Sequence, residues 1–316
     1  PLSTESLPLS TGVLANPLIT PIEELRDPLS PISSVSDTAR WVAFYRAMET
    51  ERPDALFDDP WARRLAGVQG EEIVRRLPKG RALAWPVIVR TAVMDELIER
   101  AVDRDRVDTV VNLASGLDTR PFRLAVPASL RWFDVDLPGV LEAKRAVLDA
   151  EAPRCRVEFL PADLADPAAR SEVLDRVQAS ATRALVITEG LLIYLTREGV
   201  TGLARDLHRR EAIRWWLTDL ASPRLMEILA KTWARALKAG NAPLQFAPAE
   251  GTAFFETLGW GEHEFRSTWE ESLRLGRTMR LAWFWNLLGR FSPKQKQEEM
   301  RRMSGIVLFE RRGEAT

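Results

Sequence analysis

Four short apolar runs in this 316-residue chain end in residues able to hold a nucleoside. Leu130-Arg-Trp-Phe-Asp-Val135 carries Asp134 and is followed by Asp136. Val157-Glu-Phe-Leu160 leads to Asp163 and Leu164, and Ala184-Leu-Val-Ile-Thr188 leads to Glu189 and Gly190. Thr109-Val-Val-Asn-Leu113 opens into Ala114-Ser115-Gly116-Leu117-Asp118-Thr119-Arg120, where small residues let the backbone turn sharply and approach a ligand. An acid about twenty residues beyond such a turn can accept hydrogen bonds from the two hydroxyls of a ribose, which suits Asp136 with Asp134 beside it. Asp163 and Leu164 stand where an adenine edge would lie. Glu189 closes the most apolar run, so its charge needs a partner or a task. Taken singly, each acid is explained more simply as a helix N-cap or a salt-bridge partner. Four acids at three successive run ends are harder to dismiss.

The charge of this set discriminates between ligands. A dinucleotide brings a doubly negative pyrophosphate, which calls for bare glycines at a helix N-terminus. Here the turn lacks the first and third glycines of that loop, and Asp118 would face the phosphates. A phosphate-cradling GxxxxGK[ST] string does not occur. S-adenosyl-L-methionine carries a sulfonium and an ammonium and no phosphate, and a rim of carboxylates suits it.

The elements that position these residues alternate. The four runs, with a fifth at Ile213-Arg-Trp-Trp-Leu217, read as strands. Helices over Leu137–Ala150, Pro167–Ala179 and Arg197–Arg210 separate them. That rhythm implies βαβ units and a largely parallel sheet with helices on both faces. Before it, Ser36 or Asp37 can cap a helix through Met48, Asp58-Asp59-Pro60 opens a second, and Val87–Val102 is amphipathic. After Leu220, helices are expected over Arg224–Ala239, Glu250–Leu258 and Trp269–Met303, with a weak strand near Glu264-Phe265 and a terminal one at Ile306–Phe309. Residues 1–35, rich in Pro, Ser, Leu and Thr, read as an extended or disordered arm; residues 36–316 form the domain that carries the site. Helical lid segments are expected near 223–258 and 269–304. Trp283, Phe284, Trp285 and Phe291 could line an apolar pocket there or simply pack.

Composition narrows the partners. Hydrophobic residues make up 46 % and charged residues 28 %, with a net charge of -1. That balance gives no general pull toward nucleic acid or an anionic membrane, and the expected partner is a small-molecule or peptide substrate. No run of about 18 apolar residues is present to span a membrane, and no basic-then-apolar leader is seen. The single cysteine, Cys155, cannot form an internal disulfide, which fits a cytoplasmic location. His208 and His263 do not stand at metal-ligand spacing with it, and no metal is expected. With so few histidines, Tyr194 and Tyr45 are the remaining candidates for acid–base work, which leans toward a carboxylate or an already acidic hydroxyl as acceptor.

Three strings carry a resemblance. Val111-Asn-Leu-Ala-Ser-Gly-Leu-Asp-Thr-Arg-Pro-Phe-Arg-Leu124, Phe133-Asp-Val-Asp-Leu-Pro138 and Thr188-Glu-Gly-Leu-Leu-Ile-Tyr-Leu195 resemble the leucine carboxyl methyltransferase family, which includes bacterial relatives linked to polyketide O-methylation. Asp37-Thr-Ala-Arg40, Phe44-Tyr-Arg-Ala47 and Asp58-Asp-Pro-Trp-Ala62 resemble its bacterial branch, in register to about Asp219. The resemblance implies a Rossmann-like, doubly wound, mostly parallel seven-stranded α/β sheet with an N-terminal helical extension and helical lid insertions. It implies an enzyme that uses S-adenosyl-L-methionine for O-methylation; whether the chain is a monomer or homodimer is open on the sequence. Residue by residue, Gly116 matches the glycine against the methionine part and Asp136 the ribose acid, with Asp134 beside it. Asp163 and Leu164 match the adenine pair, Glu189 the acid near the methionine moiety, and Arg90 the arginine on the cofactor carboxylate. Arg40 matches a basic residue of the first helix. Ala114 stands where the motif opens with glycine, and Asp134 is shorter than the usual glutamate. Two other classes remain open on the residues alone: a non-catalytic nucleoside-binding protein of the same fold and an NAD-linked oxidoreductase.

Overall fold

The computed structural model describes residues 35–313 except 78, 240–243, 280 and 291. The arm expected over 1–35 therefore lies outside the described residues apart from Val35, as do Phe291 and the Trp285 side chain.

Three helices come first: α1 (Val35–Thr50), α2 (Ala62–Arg76) and α3 (Trp85–Asp103). The α/β body follows with β1 (Thr109–Leu113), α4 (Arg120–Arg123), β2 (Arg131–Asp136), α5 (Pro138–Leu148) and β3 (Arg156–Pro161). It continues through α6 (Pro167–Ser180), β4 (Ala184–Thr188), α7 (Arg197–His208) and β5 (Ile213–Ala221). The last part holds α8 (Pro223–Ala239), α9 (Ala253–Glu256), β6 (Trp260–Ser267), α10 (Thr268–Arg274), α11 (Ala282–Arg290), α12 (Lys294–Arg301) and β7 (Ser304–Arg311).

One seven-stranded sheet runs β3-β2-β1-β4-β5-β7-β6. Strands β1 to β5 are parallel, and β7 lies antiparallel between β5 and β6. Strand order reverses between β1 and β4, so a crevice opens there beyond the carboxyl ends. Alternation along each strand divides the core. Val111, Phe133, Val135, Val186 and Trp216 pack with α6 and α7 on one face. Val110, Trp132, Leu185, Ile187 and Leu217 pack with Val89, Val93, Leu97 and Ile98 of α3 on the other. A third cluster joins α1 and α2 to Ile88 of α3 and to Leu117, just past β1.

The sequence placed β1 and β4 without error and the other strands of the parallel body within a few residues. It was less successful at the ends of the chain. Helix α1 is already running at Val35, so Ser36 and Asp37 lie inside its first turn. Helix α2 starts at Ala62, beyond Pro60, because Asp59 bonds Arg46 and Thr119 instead of capping. The expected helix over Trp269–Met303 is three helices: Gly276 (φ 65) and the left-handed Leu281 (φ 63) end one and delay the next, and Pro293 precedes the third. Of Glu250–Leu258 only α9 is helical, since Gly251 turns the chain at φ 59. Strand β6 is full length rather than weak.

Strand β6 runs in the direction of β1–β5, because both it and β5 are antiparallel to β7. Helix α8 and the α10–α12 insertion therefore leave the sheet on the edge where the crevice opens. Helix α10 packs on α3 through Trp85 and Trp269 (ring centroids 6.4 Å apart) and through Arg274 on Glu96, and Arg266 at the end of β6 joins the same Glu96. A buried pair, Arg277 on Glu49 at 2.7 Å, ties the insertion to α1. Trp283 and Phe284 on α11 are exposed and meet each other edge to face.

Candidate active site

The loop after β1 is built for close approach. Ala114 (φ 55) and Gly116 (φ 51) are both left-handed. Glycine adopts that region freely, whereas alanine is held there against the contact of its Cβ with the backbone. A Cβ at Gly116 would meet the Ala39 Cβ of α1 at 3.4 Å, so the first helix roofs this loop. Arg46 of α1 donates to the Leu117 carbonyl at 2.5 Å and to Asp59 at 2.8 Å, and Thr119 donates to the same Asp59 oxygen. The N-terminal extension is thus welded to the loop it covers.

Asp136 closes β2 beside this loop and accepts from the Gly116 amide at 2.7 Å and the Leu137 amide at 2.7 Å. Burial pushes its carboxyl upward, and the two amides only temper that. Asp134 is placed differently. It is fully buried, bonded to Lys144 at 2.5 Å and to the Trp132 indole, and so is not available to a ligand. The two-residue period of the strand puts Asp134 and Asp136 on one face, but only the second reaches the end of the sheet. Asp163 is exposed and caps the Ala165 amide, while Leu164 is half-buried against the α6–α7 core.

A chain of buried charge runs from the β1 loop to β4 and β5. Arg120, 1 % exposed, bonds Asp95 at 2.7 Å, Asp118 at 2.6 Å and Glu189 at 2.6 Å. Arg123 takes the other side of Asp95. Glu189 also meets Arg90 of α3 at 2.9 Å, and Arg90 reaches Asp219 at the end of β5 at 3.1 Å. Asp219 in turn accepts from the Gly190 amide at 2.6 Å. Gly190 is left-handed (φ 64), and a Cβ on it would stand 3.3 Å from Arg90. Burial works to raise Asp118 and Glu189, but the surrounding arginines outweigh it and hold both below the ordinary carboxylate range.

Tyr194 lies in the turn Leu192–Tyr194, half-buried near Arg90 and Asp219, and burial pushes its phenol upward. Tyr45 is elsewhere. It is buried in the α1–α2 core with its hydroxyl on the Gly80 carbonyl at 2.6 Å, and burial pushes it up to about 12. Arg40 faces the Leu65 carbonyl and the kink at Gly67. The structure therefore brings Arg90, Ala114, Gly116, Asp136 and Glu189 to one edge, with Asp163, Leu164 and Tyr194 along it. It leaves Asp134, Tyr45 and Arg40 out of that group. Sequence reading gave no role to Asp219, Asp95 or Arg120. Asp219 does follow a strand run, but the expected strand stopped at Leu217; the other two depend on contacts across the fold.

Two buried polar atoms in this region have no partner among the described residues: the Ser115 hydroxyl and one terminal nitrogen of Arg120. Such atoms are rare unless a ligand or water completes them. Together with two left-handed residues that bare the backbone and a half-satisfied Asp136, they fit a nucleoside bearing a polar amino-acid tail, and the carboxylates of Asp118 and Asp136 disfavour a phosphate. Among the described residues no cluster of His, Cys, Asp and Glu could hold a metal ion, and no helix is long and apolar enough to cross a membrane.

Parallel sheet, crevice and carboxylate rim define an S-adenosyl-L-methionine-dependent methyltransferase, and the comparisons agree. The model of a family described as leucine carboxyl methyltransferase matches residues 39–208. A protein of Frankia alni, provisionally named an S-adenosyl-L-methionine-dependent methyltransferase, is 34 % identical over 248 residues, covering 71 % of this chain and 85 % of the relative. A Streptomyces coelicolor protein of the same provisional name is 38 % identical over 196 residues, covering 57 % of this chain and 66 % of the relative. The crystal structure of a DUF574 family protein from Streptomyces avermitilis shares the fold, with a TM-score of 0.55 at 16 % identity over 87 % of this chain and 97 % of that one. A Thermobifida fusca protein, provisionally described as a methyltransferase, does so at 0.55 and 17 % identity over 90 % and 96 %. The chain belongs to the leucine carboxyl methyltransferase family.

Proposed function

We propose that the enzyme transfers the methyl group to oxygen, on a carboxylate or an acidic hydroxyl of a small molecule or peptide. The observation that carries this reading is the lack of a strong base at the β4–β5 edge among the described residues. Glu189 and Asp219 are both bound by arginine, and Tyr194 is pushed away from easy ionisation. His208 ends α7 against Trp260, and His263 lies within β6 beside Trp215. An oxygen that is already an anion, or nearly one, needs no such base.

S-adenosyl-L-methionine supplies an activated methyl group when bound. The residues of the chain bind it and align the acceptor. Asp136 keeps lone pairs for the two ribose hydroxyls, since each of its oxygens accepts only one amide. Asp163 and Leu164 would flank the adenine. The bare backbone at Ala114 and Gly116 would take the methionine part, Glu189 its ammonium and Arg90 its carboxylate. Tyr194 orients the acceptor. Helix α8 and the α10–α12 insertion stand over the same edge as lids that exclude water. Asp134, fixed by Lys144, supports β2 from behind.

The test is to incubate the purified protein with methyl-labelled S-adenosyl-L-methionine and a mixture of carboxylic acids, phenols and peptides. Label in base-labile methyl esters or in aryl methyl ethers is expected. Label confined to nitrogen, sulfur or carbon would overturn the reading.

A further inference from the structure

Asp219 joins the turn after β4 to an arginine of α3 through its two oxygens. One accepts from the Gly190 amide at 2.6 Å; the other accepts from Arg90 at 3.1 Å. The first bond fixes Asp219 to the turn after β4, and the pairing of Asp219 with Ile306 of β7 fixes it to the sheet. Asp219 therefore cannot follow Arg90 if the arginine moves. Arg90 is held from the opposite side by Glu189, which grips its Nε at 2.9 Å, while Asp219 grips Nη1. Two anchors at different points of a planar guanidinium fix its rotation as well as its position, which one anchor cannot do. Its Nη2 makes no hydrogen bond among the described residues and is left as the free donor edge.

We propose that Asp219 is a positioning residue for the amino-acid end of the cofactor: it locks Arg90 against the Glu189–Gly190 turn so that the free Nη2 edge is presented to the cofactor carboxylate. This rests on the reading that Arg90 meets that carboxylate. Two effects of Asp219 oppose each other. Its charge repels an incoming carboxylate, and its hydrogen bond aligns the arginine that receives it. Alignment wins because the charge of Asp219 is already paired with Arg90 at hydrogen-bond distance, whereas no other group among the described residues grips Nη1.

Asp219→Asn isolates the effect. The amide oxygen stays on the Gly190 amide, so the side-chain nitrogen turns its hydrogens toward those of Arg90, and the lock opens without loss of volume. Calorimetric titrations would use S-adenosylhomocysteine and 5′-methylthioadenosine, which shares the nucleoside and thioether but lacks the amino-acid end. In Asp219→Asn, S-adenosylhomocysteine should bind about tenfold more weakly. The affinity for 5′-methylthioadenosine should stay within about twofold. In an Arg90→Gln background Asp219→Asn should add nothing. Arg90→Lys keeps the charge but has no fork to lock, so it should repeat the selective loss even if the Asp219 variant folds poorly. Equal weakening of both ligands would mean that Asp219 merely supports the sheet. Unchanged or tighter S-adenosylhomocysteine binding would mean that repulsion dominates. Either result overturns the proposal. If Arg90→Gln itself fails to distinguish the two ligands, the reading of Arg90 falls, and the proposal with it.

Discussion

Asp136 and Glu189 mark two halves of one rim and are held in opposite ways. Asp136, on the β2 side, is bonded by backbone amides alone, and burial moves its carboxyl upward. Glu189, on the β4 side, is gripped by Arg120 and Arg90, which outweigh burial and move it downward. An amide-held acid is aimed but keeps acceptor capacity for a ligand. An arginine-held acid has its charge and direction fixed by the scaffold that grips it. The difference teaches where each half draws its order: the β2 side from local backbone, the β4 side from charges contributed by helices far away in sequence.

The largest expected effect falls on the arginine-held half. Arg120→Ala leaves Asp95, Asp118 and Glu189 buried without their common cation, and should lower unfolding stability by about 3–5 kcal/mol in chemical denaturation. A loss under about 1 kcal/mol would mean that Arg90 and Arg123 can take over, and that the two halves differ less than their contacts suggest. Next comes the amide-held half. Asp136→Ala should fold but bind S-adenosyl-L-methionine more weakly by roughly 1–3 kcal/mol through lost ribose hydrogen bonds. Unchanged affinity in calorimetry would remove Asp136 from the binding set. The smallest effect tests the loop between the halves. Ala114→Gly relieves a left-handed alanine and should raise stability by about 1 kcal/mol or less, because the added backbone freedom of glycine offsets part of the gain. A lower denaturation midpoint would show that this turn carries no such strain.

Much of the candidate site was legible in advance because its residues follow strands. Gly116, Asp136, Asp163 and Glu189 could be placed from apolar runs and spacing, since a parallel sheet presents every strand end to the same edge. Two departures share a cause, a partner the string does not show, and a third is local. Asp134 and Asp136 look equivalent in the string Phe133-Asp-Val-Asp-Leu-Pro138, yet Lys144, one helix later, claims the first. Tyr45 sits among motif residues of α1, but the Gly80 carbonyl, 35 residues away, takes its hydroxyl. The expected helix over Trp269–Met303 broke at Gly276 and Pro293, which a purely periodic reading passes over.

The sequence by itself determined the alternation of strands and helices, the acids at the strand ends and the family, because apolar period and short motifs are local properties. Only the tertiary structure decided which of those acids stay open and which are closed. That choice belongs to Arg90, Arg120 and Lys144, whose partners lie up to 129 residues away. A buried charge is satisfied by whichever opposite charge the fold brings within about 3 Å, and no spacing along the chain records that distance.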